Sequence, residues 1–257
     1  MNEFHTSWYN TKKQRVSIMH DRQRNPTHRK NANHVILHRY MNIPPVSRVY
    51  FTSAFLITTC CAMELINPYH LYYNPSLIFE GQVWRLFSPF LFFGLFSVDF
   101  LFNMYFLIRH CRQLEEGDFR GKPSEFIVMI LFGILCICSI APFLQMHNFL
   151  GNALTYMMTY VWGRRNEDVR MSMLGIITFT APWLPWVMLT FGFLVGNSLE
   201  MSIVGIITGH LYYFLEFVVP VLAEARGWRT RKVLIVPSFL RYLCGEYDRG
   251  EVHLHMD

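Results

Sequence analysis

Few side chains in this 257-residue sequence are suited to chemistry, and most of them lie in apolar surroundings. Asp99 and Asn103 stand four apart, so a helix would place both on one face. A carboxyl group at membrane depth is costly unless it is paired or wetted. The pair therefore reads in two ways: a water-accessible polar groove, or an Asp99 that is protonated or bonded to Asn103 and ties helices together. Asn152 and Thr155 bring further polar groups into another apolar run. Gly205 and Gly209 form a GxxxG step, where missing side chains let a second helix approach closely; packing within the chain is its simplest use. His210 follows on a different face, placed to bond a neighbouring carbonyl.

Other chemistries find little support. Cys60, Cys61, Cys136 and Cys138 fall in apolar runs, and Cys111 and Cys244 beside basic segments, so no disulfide framework is expected. No cysteine pair has metal-ligand spacing with histidine partners, and His253 with His255 reads as a solvated end. Phosphate-cradling glycine loops and zincin motifs are absent from the sequence. Neither a metal, a cofactor nor a nucleic-acid partner is expected.

The elements that must position these groups follow from composition. Hydrophobic residues make up 52% of the chain and charged residues only 16%, against roughly 25% charged in soluble domains. Charges thin out between residues 49 and 219. Within that stretch, six apolar runs approach the roughly 20 residues that cross a hydrocarbon core. They cover about 49–66, 86–108, 126–143, 149–162, 173–194 and 201–219. All six are expected to be helices, because lipid offers backbone groups no partner and the alternation a membrane barrel needs is missing. The predicted fold is an all-α polytopic membrane protein, a bundle of six transmembrane helices. A basic, disordered cytosolic arm (1–48) precedes the six-helix domain (49–219), and a cytosolic tail (220–257) follows it.

Of the 23 Lys and Arg residues only Arg85 falls in an odd-numbered connection, so the positive-inside rule places both termini in the cytosol. Residues 1–48 contain no cleavable signal, which leaves the first span to act as its own targeting signal. A mitochondrial presequence would be similarly basic, but Pro26 and the Asn-rich stretch to Asn33 spoil its amphipathic helix. Met41 is a possible alternative start.

Two segments stand out for function. The fourth run spans about 21 Å as a helix, short of a core near 30 Å, so it is expected to sit centrally, with shielded ends and a locally thinned bilayer. The first lumenal connection, 67–85, carries Tyr69, Tyr72, Tyr73, Phe79 and Trp84, and is expected to lie in the headgroup layer. There the Arg85 guanidinium would bond loop carbonyls or lipid phosphate.

The Trp84-Arg85 pair closing a long first loop, the Tyr160-Val161-Trp162 stretch followed by Arg164, and GxxxG on the sixth run together resemble the rhomboid superfamily. More closely, Pro44 to Arg48, Tyr72 to Pro75, Asn103-Met104, Cys111 to Gly117 and Gly205 to His210 resemble the Derlin family, of the Derlin-2/3 type, over about 70% of the chain. Rhomboid proteases cut with a serine activated by a histidine. Counting from the shared motifs puts Gly151 at the serine position and Ser202 at the histidine position. The resemblance thus implies a rhomboid-like pseudoprotease without catalytic residues. It further implies a place in the endoplasmic reticulum membrane and a role in endoplasmic-reticulum-associated degradation. There Derlins assist the retrotranslocation of misfolded lumenal or membrane proteins to the cytosol, with a ubiquitin ligase complex and a cytosolic AAA ATPase as partners and as homo- or hetero-oligomers. Some Derlins end in a glycine-rich FxGxGxxLG box that binds the ATPase. The tail here lacks it, so recruitment through hetero-oligomers or a ligase complex is the expected alternative; Pro237 to Leu243 reads as an interfacial helix.

Two other classes compete. An active intramembrane protease would need another nucleophile, for example Ser198 or Ser202. A small-solute transporter or channel would depend on Asp99 and would more typically show repeated halves, which this sequence lacks.

Overall fold

The computed structural model describes residues 38, 40–144, 149–173, 177–194, 199–227 and 234–246. The chain divides into two compact units, Met1–Ile43 and Pro44–Asp257. Most of the expected N-terminal arm, Ser198, His253 and His255 lie outside the described residues. What is described of the first unit is a single turn, in which the Asn42 amide donates to the His38 carbonyl at 3.0 Å.

The second unit begins with α1, Pro45–Ala62, which starts before the expected boundary at 49 because Pro45 fits the first helical position, where no amide donor is needed. Helix α2 covers Val98–Gln113. The expectation of a helix from residue 86 is therefore wrong over its first half. Residues 86–97 hold a proline, Pro89, and a glycine, Gly94, at φ +95°, and form tight turns until the Ser97 hydroxyl caps α2 by accepting from the Phe100 amide at 3.1 Å. Past its far end α2 widens into an i→i+5 turn over Leu114–Asp118.

Helix α3, Pro123–Ile140, is 18 residues with mean hydropathy 2.2 and only 28% of it buried within the molecule. Helix α4 spans Gly151–Arg165. Then comes the second departure: residues expected to open a fifth helix form an antiparallel hairpin, β1 Arg170–Met173 with β2 Ile177–Thr180, in the register Arg170 opposite Thr180. Polar Thr178 and Thr180 alternate there with Ile177 and Phe179, the two-residue period of a strand, and Pro182 and Pro185 resist continuing a helix backward. Helix α5 is consequently short, Leu184–Leu194.

Helix α6 runs from Leu199 to Ala225, 27 residues, past the expected end at 219. A wide turn over Phe214–Val218 precedes Pro220 and absorbs the backbone mismatch that a proline imposes inside a helix. In the tail, Ser238–Leu243 forms the short helix α7.

Two of these helices, α3 and α6, are long and apolar enough to cross a bilayer. Being mostly unburied inside the molecule, they do not behave as the core helices of a soluble fold. On α6 the exposed Ile203, Ile207 and Leu211 recur at four-residue spacing, an apolar stripe turned outward. At the centre stands α4, with twelve of its fifteen residues buried. Around it pack Phe90, Phe100, Leu107, Phe126, Met129 and Ile137 from the surrounding elements.

Candidate functional site

A helix buried on every side must satisfy its own polar groups. In α4 the Thr159 hydroxyl donates to the Thr155 carbonyl at 2.8 Å, and the Thr155 hydroxyl to the Gly151 carbonyl at 3.2 Å. One face of α4 then takes α6 at backbone contact. A Cβ on Gly205 would collide with the Ala153 carbonyl oxygen and with Tyr156 Cβ; one on Gly209 would lie 2.9 Å from both the Met157 carbonyl oxygen and Tyr160 Cβ. The GxxxG step is thus spent on packing within the chain. His210 does not bond a backbone carbonyl, as its position had suggested: its Nδ1 lies 2.7 Å from the Tyr160 hydroxyl.

The opposite arrangement holds between α2 and α5. Asp99 and Asn103 from α2, Asn152, Thr155 and Tyr156 from α4, and Ser202 from α6 all line one cleft of about 90 Å³, which leaves room for several waters. The four polar groups singled out in the sequence converge there. Asn103 Nδ2 donates to Asp99 Oδ2 at 3.2 Å, whereas Asn152 Oδ1 is buried without a hydrogen-bond partner. An orphaned buried amide oxygen beside such a space is what bound water would satisfy. Two contacts link α5 across the cleft: the Tyr156 hydroxyl donates to the Met188 carbonyl at 3.0 Å, and the Phe102 and Phe191 rings meet edge to face at 5.6 Å.

Gly151 opens α4, and a side chain there has no room: its Cβ would lie 2.8 Å from two Phe93 ring carbons and 3.1 Å from the Phe90 carbonyl oxygen. Ser202 is buried and borders the cleft.

The first long connection is organised by Arg85, which is 3% exposed. Its Nη1 donates to the carbonyls of Tyr69 and Tyr72 at 3.1 and 3.0 Å, its Nε donates to Gln82 Oε1 at 2.7 Å, and it lies over the Tyr72 ring. Loop carbonyls occupy this guanidinium. Trp84 instead points outward, 55% exposed, and the Tyr73 hydroxyl ties the loop to α3 by donating to the Cys138 carbonyl at 2.7 Å. All six cysteines are free thiols.

Two carboxylates that sequence reasoning missed hold the helix starts. Glu115 accepts from the Val46 amide at 2.9 Å, the Ser47 amide at 2.7 Å and the Ser47 hydroxyl at 2.6 Å, capping α1 from the turn after α2. Glu246, beyond α7, accepts from the Ser124 amide at 2.8 Å and from its hydroxyl, capping α3. The visible hint was the lack of a local cap: proline precedes or opens both helices. At the end of α4, Arg165 donates to Asp118 at 3.0 Å and lies 4.3 Å over the Phe217 ring, joining α4 to the wide turn after α2 and to α6.

A helical membrane protein built around a buried, short fourth helix, with a glycine-stepped last helix against it and a polar cleft beside it, is the class that this fold and site define. The profile of the Der1-like family matches residues 43–230. Derlin-2.1 of Arabidopsis thaliana is 45% identical over 218 residues, covering 80% of this chain and 87% of that protein. Derlin-2 of Oryza sativa subsp. japonica is 43% identical, with 80% and 85% covered, and a probable derlin-2 homolog of Dictyostelium discoideum is 37% identical, with 79% and 81% covered. The chain belongs to the Der1-like, or Derlin, family and is of the Derlin-2 type.

Proposed function

We propose that this protein is a non-proteolytic component of endoplasmic-reticulum-associated degradation that helps misfolded lumenal and membrane proteins reach the cytosol. In this reading it crosses the endoplasmic reticulum membrane six times with both termini cytosolic, α2 and α5 crossing with help from the turns and the hairpin that extend them. The clients are handed to a ubiquitin ligase complex and a cytosolic AAA ATPase. Contact with the ATPase is indirect, through homo- or hetero-oligomers with other Derlins or through the ligase complex.

The observation that carries the reading is the convergence of Asp99, Asn103, Asn152 and Thr155 on one cleft beside α5. Polar backbone passing through lipid needs hydrogen-bonding partners. This cleft supplies carboxyl, amide and hydroxyl groups, with water, on the flank of a short central helix. Scission is a poor fit for the same residues. The position matching a nucleophile is closed by Phe93, Ser202 has no histidine beside it in sequence, and His210 is engaged with Tyr160.

The test is turnover of a misfolded lumenal reporter in cells relying on Asn152→Leu. Slowed turnover with normal protein abundance and insertion is expected, and unchanged turnover would count against the cleft. Incubating the purified protein with a transmembrane substrate should yield no new termini; cleavage abolished by Ser202→Ala would overturn the non-proteolytic reading.

A further inference from the structure

A second cleft, of about 240 Å³, lies beyond the first along α2 and α5 and is closed on its outer side by the hairpin. Its two ends differ in character. Phe102, Phe106, Met188 and Phe191, which also line the polar cleft, form its wall on that side. Toward the far end of α2 stand Tyr105, Arg109 and His110. Phe102 and Arg109 are seven residues apart on α2, so about 10 Å of helix separates the apolar from the polar end.

The polar end holds a cation short of acceptors. Arg109 Nε is buried without a hydrogen-bond partner, whereas His110, fully buried, interacts with Gln113 one turn on. Arg109 Nη1 donates to the Tyr105 hydroxyl at 2.7 Å, and among the described residues no carboxylate pairs with this guanidinium. The lining contains no Asp or Glu. An unpaired cation with a buried donor, next to an apolar trough, calls for an amphiphile with an anionic head.

We propose that this cleft binds one anionic glycerophospholipid, its phosphate on Arg109 and part of one acyl chain along Phe102, Met188 and Phe191. The bound lipid packs α2 against the hairpin and α5, beside the aromatic pair that adjoins the polar cleft. Zwitterionic lipid is held less well, since no acidic residue of the lining meets its cationic group.

The full-length protein in detergent, delipidated and followed by native mass spectrometry, tests this. Phosphatidic acid should add once per chain and more tightly than phosphatidylcholine, and inorganic phosphate at equal concentration should neither bind nor compete. Arg109→Gln should weaken the lipid about tenfold or more, as loss of a charge-assisted contact does. Met171→Trp, which narrows the trough without touching the charge, should also weaken it, and this variant keeps the test decisive should Arg109→Gln not fold. Equal lipid occupancy in both variants would overturn the site. Competition by phosphate alone would reduce it to a simple anion site, and displacement by an apolar transmembrane peptide but not by lipid would assign it to polypeptide. These outcomes are separate from reporter turnover, so the lipid site and client handling fail independently.

Discussion

Helix α4 meets α6 and α5 in opposite ways. Against α6 it packs backbone to backbone, with Gly205 and Gly209 leaving no space for a methyl group; toward α5 it leaves a polar cleft bridged by one tyrosine hydroxyl, with the Phe102–Phe191 ring pair spanning its rim. Interfaces without side chains between them have no soft coordinate along which to yield. Interfaces made of ring edges and a single hydrogen bond do. The difference teaches that the molecule has one rigid half and one half able to open, both referred to the same central helix.

Gly205→Val attacks the rigid half, and it should have the largest effect. The added carbons meet the Ala153 carbonyl, so a loss of about 3 kcal/mol or more is expected in detergent unfolding; wild-type stability would mean that the two helices are not in backbone contact. Arg85→Ala probes a rigid element outside the comparison, leaving two loop carbonyls and Gln82 without their donor. About 2 kcal/mol should be lost and the 67–85 connection should become protease-sensitive, with client turnover slowed. Tyr156→Phe removes the hydroxyl bridging α4 and α5 and should cost about 1 kcal/mol, visible as faster amide exchange in Leu184–Leu194 and not in α6. The smallest effect is expected for Phe102→Ala, below about 1 kcal/mol because the ring is partly exposed and the aromatic pair contributes little beyond its area. Its signature should be wider access of a water-soluble thiol reagent to a cysteine placed at Ser202. Equal protection in the variant and its parent would show that the rings do not close the cleft.

How much of this was legible follows from where the deciding interactions lie. The long apolar runs behind α3 and α6 are local features, and so is the GxxxG step. The polar groove was readable because an Asp, two Asn and a Thr are conspicuous against apolar neighbours, although nothing in their spacing dictated that Asn152 would line the same cleft as Asp99. Residues 86–97 and 173–180 misled because hydropathy measures how greasy a segment is and not which backbone it adopts. Pro89 and Gly94 in the first, and Thr178 and Thr180 alternating with apolar residues in the second, carried the correction. The caps from Glu115 and Glu246 were hidden because each joins residues far apart in sequence, 68 to 69 positions for one and 122 for the other. The second cleft escaped notice because its lining combines residues from α2, the hairpin and α5.

The distant caps bear on how the chain is made. Translation proceeds from the N-terminus, so α1 emerges with its opening amides unclaimed until Glu115 has been added, and α3 waits for Glu246, 122 positions after Ser124. Until those glutamates arrive each helix presents bare N–H groups at its start, so an incomplete nascent chain carries a visible mark of its immaturity. Each start can close only when its glutamate has been made, so α1 is capped before α3.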